Sequence, residues 1–205
     1  MLSDAYGRLP LTIASGMVRT SLTHPLAIGT VPVGERGGRV GITFCPGKCQ
    51  PDAATGIWER DLAIDLDAIR DWRADALATL IEDHELRSLR VEGLGAAARE
   101  RGLEWFHLPI RDGDVPGPAF ERAWEGAWEG AGERLRAILR DGGSVVVHCK
   151  GGLGRAGTVA ARLLVEMGWQ PEAAIAAVRT ARPDTIENDR QLAYVRALAT
   201  RPVST

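Results

Sequence analysis

Ser144-Val145-Val146-Val147-His148-Cys149-Lys150-Gly151-Gly152-Leu153-Gly154-Arg155-Ala156-Gly157-Thr158 is the stretch on which the fold turns. Its β-branched start predicts a strand over Ser144–His148, its glycines a loop over Gly151–Gly157, and the following apolar spacing a helix over Thr158–Met167. A strand that enters a tight loop and opens a helix turns backbone N–H groups toward one point, where the helix dipole favours an anion. Cys149 opens the loop inside that field, and a thiol so placed ionises more readily than a free one. Arg155 stands five intervening residues later. Its planar fork matches two oxygens of a phosphate. A thiolate below an oxyanion cradle, with an arginine clamp, fits nucleophilic attack on phosphorus. The expected cradle is Lys150, Gly151, Gly152, Leu153, Gly154 and Arg155. His148, at the end of a buried strand, is expected to support it by hydrogen bonding.

Three other readings compete for this loop. Gly152-Leu-Gly154-Arg-Ala-Gly157 matches the dinucleotide pattern G-x-G-x-x-G, but helices follow it where a βαβ unit would be needed. An ATP-binding loop needs Gly-Lys-Ser/Thr after its glycines, where Arg155-Ala156 stands. A structural cysteine in a tight turn leaves His148, Arg155 and the four glycines unexplained.

Working outward, Leu26–Val33 and Arg39–Phe44 read as strands joined by a turn at Gly34–Gly38. Asp61–Trp72 has helical spacing, Ala76–Ile81 is a short apolar strand, and Glu85–Arg101 reads as one helix. Leu103–Ile110 reads as a strand ending at Pro109. A loop at Pro116-Gly117-Pro118 leads into one helix over Ala119–Leu139, whose stripe of Phe120, Trp124 and Trp128 is core packing. Helices over Pro171–Ala181 and Asp189–Thr200 complete the chain. Alternating strands and helices predict an α/β fold, a single domain with a largely parallel central sheet flanked by helices. Residues 26–205 form that domain, and residues 1–25 an N-terminal arm.

The whole chain agrees with that class. Its 205 residues suffice for one full core, and 45% apolar with 25% charged residues are ordinary globular values. A net charge of −2 implies no general attraction to nucleic acid or acidic membrane. No apolar run approaches the ~20 residues that span a bilayer, and no signal peptide is evident. The three cysteines, Cys45, Cys49 and Cys149, argue against a disulfide framework and for a reducing cytoplasm. Arginine outnumbers lysine 23 to 2, and the two lysines, Lys48 and Lys150, fall in two loops, either by chance or because both loops face the same chemistry. Cys45 and Cys49 are packing residues, partners in a reversible disulfide with Cys149, or metal ligands that lack a second pair.

His148-Cys149-x5-Arg155 resembles the signature of the protein-tyrosine and dual-specificity phosphatase superfamily. His-Cys-Lys-Gly-Gly-Leu-Gly-Arg is similar to the cyclin-dependent-kinase-associated phosphatase group and its bacterial relatives. Val40-Gly-Ile-Thr-Phe-Cys-Pro-Gly-Lys48, His84–Val91, His107–Gly113 and Arg182–Glu187 with Gln191 and Tyr194 extend the resemblance over roughly residues 30–200. It implies the phosphatase C-x5-R fold and a two-step mechanism through a cysteinyl-phosphate, with no metal and no cofactor. By match to Leu-Pro-Ile-x-Asp-Gly it makes Asp112 the general acid, with Asp114 as the alternative. Both aspartates also suit an ordinary turn. The resemblance places Glu187 where many relatives carry a water-positioning glutamine. Ala156 replaces the usual Ser or Thr, whose hydroxyl serves the second step. Thr158 is the nearest hydroxyl in sequence, so slower hydrolysis of the intermediate is expected. The substrate is a phosphorylated protein or a small phosphomonoester, including a metabolite or phosphoinositide. A phosphate-binding pseudophosphatase is the non-enzymatic alternative. Oligomeric state is not legible.

Overall fold

Ser144–Cys149 is the central strand, and every residue in it is buried. That is why it reads as a continuous apolar run rather than an alternating one. In a computed structural model, which describes residues 18–126 and 130–198, a five-stranded sheet runs in the order β1-β2-β7-β5-β6. Its strands are β1 (Gly29–Val33), β2 (Gly38–Phe44), β5 (Ala76–Thr79), β6 (Glu104–His107) and β7 (Ser144–Cys149). β1 pairs antiparallel with β2 across the expected hairpin. The pairs β2–β7, β7–β5 and β5–β6 are parallel. A small hairpin of β3 (Cys49–Gln50) and β4 (Trp58–Glu59) lies outside this sheet and was not anticipated.

Helix α1 (Leu62–Asp71) is capped by the Asp61 carboxylate, which accepts from Ile64 N–H at 3.0 Å. The expected helix over Glu85–Arg101 is two helices, α2 (Asp83–Ser88) and α3 (Leu94–Glu100). Arg90 takes φ 59° between them, and Val91 N–H returns to Leu86 O at 2.9 Å. That reversal buries Leu89, Val91 and Leu94. The expected helix over Ala119–Leu139 also divides, into α4 (Pro118–Glu125) and α5 (Ala131–Arg140), with non-helical Gly126 and Gly130 between. Phe120 and Trp124 stack with centroids 5.2 Å apart in the core; Trp128 lies outside the described residues. Strand β6 stops at His107, before Pro109, although Leu108 and Ile110 N–H still reach Thr79 and Leu80 carbonyls. Helix α6 (Gly154–Glu166) begins four residues earlier than the spacing suggests, so Arg155 sits in its first turn. Helices α7 (Pro171–Ala181) and α8 (Asp189–Ala197) pack against α6.

The chain before β1 is fastened to α1. Ser21 Oγ accepts from Asp61 N–H at 2.9 Å, and Arg60 donates to the His24 carbonyl at 2.7 Å. Arg60 and Asp65, both buried, form a two-pronged pair at 2.7 Å on each prong. Asp65 also accepts from Gly47 N–H at 2.8 Å and so fixes the loop after β2. Removing one partner of such a pair leaves a buried charge unmatched. Asp65→Ala is expected to lower stability by about 3–5 kcal/mol in urea unfolding.

Candidate active site

Cys149 ends the central strand with its side chain almost fully buried. Gly152 N–H donates to its Sγ at 3.2 Å. That geometry needs Gly152 at φ +71°, and a Cβ there would run into the Thr43 and Phe44 backbone of β2. His148 lies beneath. Its Nε2 meets Thr79 Oγ1 at 2.8 Å and its Nδ1 faces the Cys149 carbonyl at 3.4 Å. Burial pushes its imidazole down to about 3, so the ring is neutral at ordinary pH. A nitrogen facing a carbonyl must carry the proton, so Nδ1 donates and Nε2 accepts from Thr79. Thr79 in turn accepts from Trp105 Nε1 at 2.8 Å. The resulting chain orients the strand end and commits both ring nitrogens of His148 to hydrogen bonds.

Arg155 projects from the first turn of α6 with 2% of its side chain exposed. Its two terminal nitrogens bind the Glu85 carboxylate at 2.6 and 2.9 Å, and Nη1 also donates to the Ile110 carbonyl at 3.0 Å. Nη2 pairs with Asp112 at 2.9 Å. Burial opposes charge on Arg155, but Glu85, Cys149 and Asp112 outweigh it and raise its affinity for the proton. Burial likewise works against the Glu85 carboxylate. The Arg155 guanidinium and the Glu82 N–H, 2.9 Å away, hold it below the usual carboxylate range. Glu85 thus serves two ends at once: it closes the capping box of α2 and seats the arginine of α6. The sequence reading missed Glu85; only its place in the His84–Val91 segment marked it.

Asp112, by contrast, is 69% exposed, and its carboxylate also accepts from Gly113 N–H at 3.2 Å. Asp114 points elsewhere, to Arg190 on α8 at 2.9 Å, so only Asp112 reaches Arg155. Asn188 Nδ2 donates to the Gly113 carbonyl and Gln191 Nε2 to the Asp114 carbonyl, at 3.1 and 3.3 Å. Gln191 is fully buried and also receives Glu187 N–H at 2.9 Å. The Glu187 carboxylate lies so close to Gly154 that a Cβ at that position would collide with it. Thr158 Oγ1 is buried and donates back along its helix to Gly154 O at 2.8 Å. The Lys150 carbonyl accepts from Lys48 Nζ and Cys45 N–H, which brings the two lysine loops together. Leu153 caps α6, its carbonyl accepting from Gly157 N–H, and a Cβ on Gly151 would meet only the Leu153 side chain, at 4.0 Å.

All three cysteines are unpaired thiols. Burial pushes the Cys45 thiol up, far from ionisation, despite the neighbouring Lys48. Among the described residues no three His, Cys, Asp or Glu side chains converge as metal ligands, and no helix is long and apolar enough to cross a membrane.

A family model described as Swiss Army Knife protein, DSP-PTPase phosphatase domain, matches residues 120–205. A kinase-associated phosphatase, solved with its catalytic-site cysteine replaced by serine, superposes with a TM-score of 0.70 at 25% identity. The match covers 87% of this chain and 98% of that one. Tk-PTP in its active form is 28% identical with a TM-score of 0.60, covering 82% of this chain and 95% of its own. PTPMT1, at 22% identity and a TM-score of 0.55, covers 78% and 88% and shares the fold. No curated protein sequence matches the chain significantly. These likenesses support the dual-specificity/protein-tyrosine phosphatase superfamily, near its kinase-associated-phosphatase-like members. The proteins that the chain resembles are phosphatases of that type.

The Glu85–Arg155 pair predicts an acid-sensitive fold. A carboxylate held below its unfolded value of about 4.3 contributes stability above that pH and loses it as pH falls through its folded value. Glu85→Gln is expected to be less stable at neutral pH and to show a flatter acid limb. Urea unfolding across the acid range measures both.

Proposed function

We propose that the chain hydrolyses phosphomonoesters through a cysteinyl-phosphate on Cys149, acting on phosphorylated tyrosine, serine or threonine side chains of proteins. One observation carries the reading. The Cys149 sulfur already receives a loop N–H, while one buried guanidinium, Arg155, joins the acid-loop aspartate to the base of the same cradle.

In the first step the Cys149 thiolate attacks phosphorus. An S–P bond forms and the P–O bond to the leaving group breaks. Loop N–H groups and Arg155 hold the non-bridging oxygens as their charge shifts. An incoming phosphate displaces Asp112 from Arg155 Nη2, and Asp112, protonated, gives its proton to the leaving oxygen. A positioned acid of this kind is worth ~10²–10⁴-fold. In the second step water attacks phosphorus, the S–P bond breaks, and the thiolate departs. The water proton passes to the Asp112 carboxylate, with Glu187 beside Gly154 orienting the water. The net change is ester plus water to alcohol plus inorganic phosphate.

The departing thiolate of that second step lacks a hydroxyl donor at position 156, and the Thr158 hydroxyl is committed to Gly154 O. Release of the first product should therefore outrun hydrolysis of the intermediate. A pre-steady-state burst of p-nitrophenol is expected from p-nitrophenyl phosphate. Ala156→Ser should accelerate the steady state by about tenfold to a hundredfold, the worth of one hydrogen bond to a charged atom. A burst-free wild type, or no gain in Ala156→Ser, counts against this account.

The likeness to a kinase-associated phosphatase supports a protein substrate. The second reading, a small anionic metabolite or phosphoinositide, draws on the cationic side chains at the loop, Lys48, Lys150 and Arg182. The deciding experiment assays phosphopeptides, inositol phosphates and nucleotides in EDTA, with Cys149→Ser as control. Turnover of phosphopeptides that vanishes in Cys149→Ser is the expected result. Turnover confined to the small anions would replace the substrate class. Binding of vanadate without any turnover would make the chain a phosphate-binding pseudophosphatase.

A further inference from the structure

The cradle depends on which way its peptide groups point, and two cations outside it bear on that direction. A loop peptide turns its N–H inward only if its carbonyl faces outward, and an outward carbonyl packed against protein needs a donor. Lys48 Nζ and Cys45 N–H each donate to the Lys150 carbonyl at 3.4 Å. Arg182, just after α7, donates Nη2 to the Gly151 carbonyl at 3.0 Å and Nε to the Gly152 carbonyl at 2.6 Å. The inward ends of these three peptides are the N–H groups of Gly151, Gly152 and Leu153. The middle one is the donor to Cys149 Sγ.

These cations sit where a charge is costly. Lys48 is 5% exposed, with its ammonium 4.2 Å from the Trp58 ring centre and 5.1 Å from that of Phe44. Among the described residues neither Lys48 nor Arg182 has a carboxylate within ion-pair distance. Burial pushes the Lys48 ammonium down to about 8, while the Cys45 and Cys149 sulfurs favour its charge. Burial lowers Arg182 in the same way, with Cys149 opposing. The groups on which the Cys149 sulfur acts include Arg155 on α6, Lys48 after β2, Arg182 after α7 and the Cys45 thiol. Glu85 and Asp112 bear on it through Arg155.

We propose that Lys48 and Arg182 are positioning residues of the phosphate loop. They hold three successive peptides with carbonyls outward and lend their charge, through those peptides, to the Cys149 sulfur and the bound phosphate while touching neither. A cation on a carbonyl polarises the whole peptide unit, so the N–H at its other end becomes a stronger donor. This rests on the reading of Cys149 as nucleophile.

The test uses the full chain as wild type, Lys48→Met, Arg182→Ala and Arg182→Lys, each checked for folding by thermal melt. Cys149 alkylation by iodoacetamide is followed against pH by peptide mass spectrometry, which separates it from Cys45 and Cys49. Inorganic phosphate and vanadate are measured as competitive inhibitors of p-nitrophenyl phosphate hydrolysis. Lys48→Met and Arg182→Ala should move the alkylation profile to higher pH and weaken phosphate inhibition by about tenfold, the effect of one charge-assisted contact. KM should rise more than kcat falls. Arg182→Lys should lie between, because an ammonium cannot span both carbonyls. Folded Lys48→Met and Arg182→Ala that alkylate and bind phosphate within about twofold of wild type would overturn the proposal. If Arg182→Ala does not fold, Lys48→Met and Arg182→Lys decide by the same criteria. Turnover surviving in Cys149→Ser would instead remove the underlying mechanism, so the two failures are separable.

Discussion

A guanidinium with almost no solvent must carry its counter-charge with it, and in this protein Glu85 supplies it. The cost of burying Arg155 is offset only by a close two-pronged pair with further hydrogen bonds on both partners. Glu85 comes from α2, Arg155 from α6, and the Ile110 carbonyl from the chain leaving β6. One ion pair therefore sets three segments against each other at the carboxyl end of the parallel strands. It also aims the guanidinium at the cradle before any substrate arrives, which is where preorganised electrostatics are most effective.

Around that pair the backbone supplies most of the remaining chemistry. Gly152 supplies a conformation and a close approach that no side chain permits, and its N–H reaches the sulfur as a result. Side chains such as Arg182 and His148 meet carbonyls, not the Cys149 sulfur. The site is thus a folded loop first and a set of side chains second.

Much of this was legible in the sequence. The valines of β7, the glycines behind it and the spacing of Cys149 and Arg155 are local signals, and strand, loop and arginine follow from them. The start of α6 was misplaced because Gly154 and Gly157 read as loop, whereas their contacts with Glu187 and Thr185 require the lack of a side chain inside a helix. The long helices over Glu85–Arg101 and Ala119–Leu139 kept their periodicity while the chain broke at Arg90 and at Gly126. Periodicity records which residues are buried, not whether the chain stays straight between them. Glu85 and Arg182 were not singled out because their roles are long-range: each acts on a loop about seventy or thirty residues away, and nothing in their neighbours' chemistry announces it.

The tether between the loop bearing Asp112 and α8 has a mechanical consequence. Asn188, Arg190 and Gln191 hold Gly113 and Asp114 by two backbone carbonyls and one carboxylate. Asn188 is also the cap of α8, and Gln191 the first-turn residue whose N–H that cap receives at 3.0 Å. The loop bearing Asp112 is therefore hung from the end of a helix rather than strung between two free ends. Its hinge is narrowed to Asp112 itself and the residues just before Gly113. The aspartate thus meets the arginine from a loop whose next two residues are anchored on the first turn of α8.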